Sequence, residues 1–274
     1  MEIKTVPPRL AVLTARDSGN AVIVCRHKSR RTAIIGWDRK TDIFEVTQWL
    51  KGKLYPYRSD ISPDGRHWIY FAMSEKNKTY TVVARVPYLK ALDFYSKNDA
   101  WNGGGLFTSD HSYWLNDGGI RHQPEQQASG LSVRYQWKDE ADPCQGEDPL
   151  IYFRRLQRDG WIDKGYTKTG RFNGSQVFHK EINKTYELIK VFHSGLNHPL
   201  GKSPYYETHR IYNRDTGETV DYPDWDWADA DRERMLWTDK GRIYARRINN
   251  DTLGETVELF DTASLQFGLM EAPY

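Results

Sequence analysis

Cysteine is nearly absent from this chain: Cys25 and Cys144 are the only two in 274 residues. Neither CxxC nor CxxxC spacing occurs, which excludes a disulfide framework and a thiolate metal site. The expectation is a pair of buried thiols in a reducing compartment, with a Cys25–Cys144 bridge as the alternative. Methionine is sparse too, at four residues. Long apolar runs are missing: mean hydropathy is -0.77, and no segment approaches the ~20 apolar residues that a membrane helix needs. The opening Met1-Glu2-Ile3-Lys4-Thr5-Val6-Pro7-Pro8 lacks the apolar stretch of a signal peptide. These absences lead to the expectation of a soluble, cytoplasmic protein with no membrane partner.

Chemistry-bearing motifs are missing as well. There is no GxGxxG and no GxxxxGK[ST] to cradle a phosphate chain, no HExxH, and no GxSxG. Trp101-Asn102-Gly103-Gly104-Gly105 is the one glycine cluster, and with no helix after it the structural reading, a tight entry to a strand, is preferred. His193 and His198 lie five apart in a loop, a spacing that matches no metal-ligand rule. Asp224, Asp226, Asp229 and Asp231 are the densest carboxylate run. Asp224 and Asp226, two apart on an expected strand, point to one side as calcium ligands would, but the EF-hand glycine and glutamate are missing. A metal would draw on Asp224, Asp226, His193 and His198; none is expected, nor any other cofactor. Arg26-His27-Lys28-Ser29-Arg30-Arg31 is the best phosphate-facing patch, without the interleaved aromatics of a nucleic-acid surface, so nucleic acid is not an expected partner.

What the chain has instead is aromatic residues, 14% of the total, with 10 Trp and 17 Tyr. That excludes disorder and suits half-buried pleated surfaces. Charge is almost balanced overall at +2 but uneven along the chain. Residues 1–95 hold 17 Lys+Arg against 9 Asp+Glu, and residues 215–274 hold 6 against 14. Strands and turns follow one another. Ala21–Cys25, Arg31–Trp37, Ile43–Thr47, Trp68–Phe71, Thr79–Val86, Leu131–Trp137 and His209–Asn213 read as strands. Lys138–Pro149 reads as an acidic excursion, Leu150–Leu156 as a lead into the first Trp-x-Asp-Lys-Gly hairpin, and no amphipathic helix longer than two or three turns is expected. Gly160-Trp161-Ile162-Asp163-Lys164-Gly165-Tyr166 recurs as Leu236-Trp237-Thr238-Asp239-Lys240-Gly241-Arg242-Ile243-Tyr244. This predicts one β-hairpin written twice, 76 residues apart (237 minus 161), as two repeats of about 38 residues would give.

Asp60-Ile61-Ser62-Pro63-Asp64-Gly65-Arg66 resembles the Ser-Pro-Asp-Gly signature of TolB-type and WD-repeat propeller blades. Tyr212-Asn213-Arg214-Asp215-Thr216-Gly217-Glu218 is similar to the outer hairpin of such blades, and Trp37-Asp38 to their Trp-Asp dipeptide. The resemblance covers stretches near 54–86, 150–170 and 205–260. It implies an all-β fold, a single β-propeller over 1–274 of five or six irregular four-stranded blades, closed by N- and C-terminal strands. Ile3–Val6 or Leu10–Leu13 would then pair beside Val257–Phe260. A fold of this kind carries no activity by itself. The expected function is non-enzymatic binding of another protein on the loop face, with Trp101, His111, Trp114, Trp225 and Trp227 as contact residues, although each of these also suits a core. The alternative is a carbohydrate-binding or carbohydrate-active propeller with paired carboxylates in a central pocket.

Overall fold

Alternating β-branched and aromatic residues do make strands here. The computed structural model describes residues 7–27, 31–137, 147–171, 173–199 and 201–274. Cys144 and Ile3–Val6 lie outside the described residues, as do Lys28, Ser29 and Arg30 of the basic patch. The first strands are β1 (Arg9–Thr14), β2 (Asn20–Arg26), β3 (Arg31–Asp38), β4 (Ile43–Ile61), β5 (His67–Ser74), β6 (Thr79–Arg85) and β7 (Ala91–Lys97). Then come β8 (Gly105–Ser109), β9 (Ser112–Leu115), β10 (Gln126–Gln127) and β11 (Ser132–Arg134), followed by helix α1 (Glu147–Arg158). Beyond it run β12 (Ile162–Lys168), β13 (Gly174–Glu181), β14 (Tyr186–Ser194), β15 (Tyr205–Asn213) and β16 (Thr219–Tyr222). The series ends with β17 (Trp225–Asp231), β18 (Arg234–Asp239), β19 (Arg242–Ile248) and β20 (Leu253–Asp261).

The protein is therefore all-β, with strands arranged in several sheets whose neighbours mostly follow chain order. One sheet runs β1-β2-β3-β4-β5-β6-β7-β10, one β11-β9-β8, one β12 to β16 and one β17 to β20. From β2 onward, the pairings among the described residues are antiparallel except β11 with β9, which is parallel. The residues group into two compact units, Ala11–Arg155 with Gln266–Tyr274, and Met1–Leu10 with Leu156–Leu265.

In the first of these units β4 is long enough to serve two partners: its first half pairs β3 and its second half β5, with a register break between Tyr55 and Asp60. Val22, Val24, Ile34, Leu54, Trp68 and Tyr70 pack between the strands as a fully buried cluster. Each large apolar side chain so buried contributes roughly 1.5–3 kcal/mol. The Ser62-Pro63-Asp64-Gly65 turn forms as its sequence predicts. Ser62 Oγ accepts from the Arg66 and His67 amides, and Gly65 takes a φ of 71°, open to glycine without strain. A second buried cluster holds a polar knot: Tyr95 and Tyr113 hydroxyls meet at 2.6 Å, and Tyr113 donates to Asp93 at 2.9 Å. Asp93 also accepts from the Ala128 and Ser129 amides and the Ser129 hydroxyl, so its buried charge is fully hydrogen-bonded.

In the other unit an aromatic column crosses the strands. Tyr222 stacks on Trp225 at 3.9 Å, Trp225 on Trp237 at 4.9 Å, and Trp237 on Tyr244 at 5.5 Å.

Four sequence expectations need correction. The repeated phrase is not one hairpin written twice. Asp239-Lys240-Gly241-Arg242 is a two-residue hairpin turn with φ of 47° and 79° at its centre. Asp163-Lys164-Gly165 instead lies within β12 as a β-bulge against β13. The reason is context: Trp161 follows helix α1, so no strand precedes it to pair back, whereas Trp237 sits in β18. Second, Glu147–Arg158 is a twelve-residue helix, where a lead into a hairpin was expected. Third, Leu131–Trp137 supplies only the three-residue β11. Fourth, among the described residues β1 neighbours β2 and β20 neighbours β19, so Leu10–Leu13 does not pair beside Val257–Phe260.

Candidate functional site

Loop positioning in the unit holding β2 to β11 starts from Arg58, which is 2% exposed. Its guanidinium bonds to the Glu147 and Asp148 carboxylates at the start of α1 and donates to the Ala100 carbonyl at 2.6 Å. The Tyr55 and Phe71 rings lie 5.2 and 5.0 Å away and cover it. An arginine suits this place because its planar fork serves several acceptors at once. Further along α1, Arg154 lies 5.2 Å from each of Trp114 and Trp137, and Arg155 donates to the Pro56 carbonyl at 3.0 Å.

The loop that Arg58 holds is the glycine cluster. Gly103 and Gly104 have φ of 132° and 78°, and a Cβ on Gly104 would come within 1.9 Å of the Arg58 carbonyl oxygen. The Gly104 amide donates to Thr81 Oγ1 at 2.8 Å, and the Trp101 amide to Asp99 Oδ1 at 2.9 Å. Backbone approach explains the glycines, as the structural reading of the cluster anticipates. The neighbouring loop after β9 meets it where Asn102 lies against Gly118, and Asp117 pins that loop by accepting from the Gly119 and His122 amides. Each anchored loop presents one apolar side chain to solvent, Trp101 at 73% and Ile120 at 66% exposed.

Of the five expected contact residues, Trp101 and His111 are exposed, but they stand at opposite ends of the β8–β9 hairpin. Trp114, Trp225 and Trp227 are 5, 6 and 7% exposed and belong to the interior. Trp114 packs under Arg154, and Trp225 fills the aromatic column. Sequence reasoning missed Arg58, Glu147 and Asp148; the acidic pair ahead of Pro149 is the helix-start signal that would have found them.

The unit holding β12 to β20 has an open cleft of about 220 Å³. Asp224, in the turn before β17 and not on the strand expected, and Asp226, at the bulge in β17, both line it, alongside Arg9, Lys202 and Lys240, with Pro7 and Pro8 as an apolar wall. Arg9 Nε stands 3.4 Å from Asp226 and Lys202 Nζ 3.6 Å, while Lys240 Nζ is 3.8 Å from Asp224 and 4.0 Å from Asp239. Burial pushes the Asp226 carboxyl up, against the downward pull of Arg9 and Lys202. The chain's own cations thus stand beside the carboxylates that calcium would need. His193 is engaged on both ring nitrogens, by Ser175 at 3.0 Å and Thr208 at 2.9 Å, and His198 is exposed. Among the described residues no group of three potential ligands is placed to hold a metal.

The same unit buries a charged cluster. Lys190 and His209 face each other across β14 and β15, and Lys190 Nζ meets Glu207 at 3.0 Å. His209 Nε2 is 3.5 Å from that carboxylate, and Lys190 lies 4.9 Å from the Trp161 ring. Burial pushes the His209 imidazole below its usual 6.5, with Glu207 opposing. Folding therefore favours the neutral ring, and below about pH 6.5 the unfolded chain binds the extra proton. Stability present above that pH is lost as pH falls toward the folded value, with a slope of at most about 1.4 kcal/mol per pH unit from this group. His67 and His193 are shifted the same way by burial. Urea unfolding between pH 7.5 and 5.5 should show the loss, and His209→Gln should flatten it; parallel slopes in the two proteins would rule His209 out.

No family model and no curated protein matches the chain. Among solved structures it is similar to Kuenenia stuttgartiensis hydrazine synthase, at 11% identity over 90% of this chain and 79% of that one, with a TM-score of 0.31. A likeness at that level carries no argument about fold or function.

Proposed function

We propose that this chain is a β-propeller that binds another protein, with the Trp101 and Ile120 loops as the contact face. The observation that carries the binding reading is Trp101: a tryptophan 73% exposed on a loop fixed by Arg58, Gly104 and Asp99. Large aromatic anchors dominate interface energetics, and an anchor held in place before contact loses little freedom on binding. Sheets whose strands follow chain order, such as β17 to β20, suit the blades of a propeller. The carbohydrate reading has less support. The two carboxylates that share a cleft, Asp224 and Asp226, both stand among cations, and no aromatic is among the described residues that line it.

The test compares purified wild-type protein with Trp101→Ala and Ile120→Ser as baits in parallel captures from lysate, read by quantitative mass spectrometry. The protein enriched by wild type is then titrated by calorimetry. Trp101→Ala should weaken that binding by about 2 kcal/mol or more. Its unfolding free energy should move by less than about 0.5 kcal/mol, because the side chain is exposed. Identical capture profiles for the three baits would overturn the assignment of this face.

A further inference from the structure

We propose that the cleft between Arg9, Lys202 and Lys240 binds a small ligand through a phosphate group. The cleft is rich in donors and its acceptors are badly placed for them. Arg9 brings five N–H donors and each lysine three. The recorded contacts of these groups with Asp224, Asp226 and Asp239 run from 3.4 to 4.0 Å, longer than the 2.7–2.9 Å of a formed charge-assisted hydrogen bond. Arg9 Nε itself is closed to solvent and faces Asp226 at 3.4 Å, so the lysine ammoniums and the remaining Arg9 N–H groups are what a ligand would meet. A ligand that supplies acceptor oxygens would satisfy these donors.

The directions of approach favour a tetrahedral anion. Arg9 enters from the start of β1, Lys202 from the loop between β14 and β15, and Lys240 from the β18–β19 turn. Three donors from three separate elements match the several oxygens of a phosphate, whereas a planar carboxylate presents only two. Pro7 and Pro8 donate no N–H and leave an apolar wall for the rest of the ligand. The second copy of the repeated phrase acquires a role here. Its Asp-Lys-Gly turn, with Lys240 at φ 47° and Gly241 at φ 79°, puts Lys240 into the cleft. Gly241 cannot be replaced cheaply, since a Cβ there would come 2.7 Å from Thr262 Oγ1 and 3.2 Å from Pro8 Cδ.

Calorimetric titration with inorganic phosphate at low ionic strength tests the site, with acetate as the planar comparison. Saturable 1:1 binding of phosphate, weaker binding of acetate and loss of affinity on adding salt are expected. Lys240→Asn removes the cation while keeping a residue that tolerates positive φ, and should weaken phosphate about tenfold, the worth of one charge-assisted bond. Asp224→Asn removes a repelling charge at an exposed position and should tighten it. Each variant is checked for an unchanged unfolding midpoint. Absence of saturable phosphate binding, equal affinity for acetate, or the same affinity in wild type, Lys240→Asn and Asp224→Asn would overturn the proposal.

Discussion

Replacing Arg58 by alanine is expected to destabilise the unit that holds β2 to β11 by about 4 kcal/mol, as losing one member of a buried ion cluster does. The size follows from what is left behind. Asp148 is 7% exposed and would keep a charge without its cation, and the Ala100 carbonyl would lose its 2.6 Å donor. The Tyr55 and Phe71 rings would face an empty space where the guanidinium lay. Lysine should not rescue, because one compact ammonium cannot serve two carboxylates and a carbonyl together. Adding Asp148→Ala to Arg58→Ala should recover part of the loss, since the pair then leaves no uncompensated buried charge. Urea unfolding of the four proteins measures this. A loss under about 1 kcal/mol for Arg58→Ala would show that the cluster does not hold α1 and the Trp101 loop in place.

That dependence shows where the sequence was legible and where it was not. Local chemistry was readable: Ser62-Pro63-Asp64-Gly65 makes its turn from its own side chains, and β-branched runs such as Ala21–Cys25 become buried strands. That Asp224 and Asp226 share a cleft was not readable from strand alternation, since Asp224 lies in the turn before β17 and Asp226 at the bulge in it. What their charges face was not readable either, because Arg9 and Lys202 arrive from segments more than 20 residues away in the chain. The repeated phrase misled for a related reason. Four shared residues of five give a hairpin turn in the 237–241 copy and a bulge in the 161–165 copy, so the partner strand decides between them. Leu150-Ile151-Tyr152-Phe153 reads as a strand by composition, yet it is helical, and its docking through Arg58, Arg154 and Arg155 is invisible to any local window. Tryptophans could not be sorted either: Trp101 and Trp114 both sit near loops, and only the fold leaves one in solvent and the other under Arg154.

Gly104→Ala is expected to cost about 3 kcal/mol, more than a left-handed backbone alone explains. Two terms contribute. At φ 78° a Cβ costs about 1 kcal/mol by crowding its own backbone. The second term is collision: the new methyl would sit 1.9 Å from the Arg58 carbonyl oxygen, which is backbone and cannot swing aside. Relief requires the loop to lift, which stretches the Gly104 amide from Thr81 Oγ1 and adds about 2 kcal/mol. Gly119 separates the terms. Its φ is 79°, but nothing lies within 4 Å of a Cβ there, so Gly119→Ala should show the backbone term alone. Unfolding free energies of the two variants should therefore differ by about 2 kcal/mol; equal losses would mean that close approach to Arg58 does not set the loop height. The same lift moves Trp101, three residues upstream and exposed, so Gly104→Ala should weaken the protein binding we propose for this face through a residue that touches no partner, whereas Gly119→Ala leaves the Trp101 loop where Arg58 holds it.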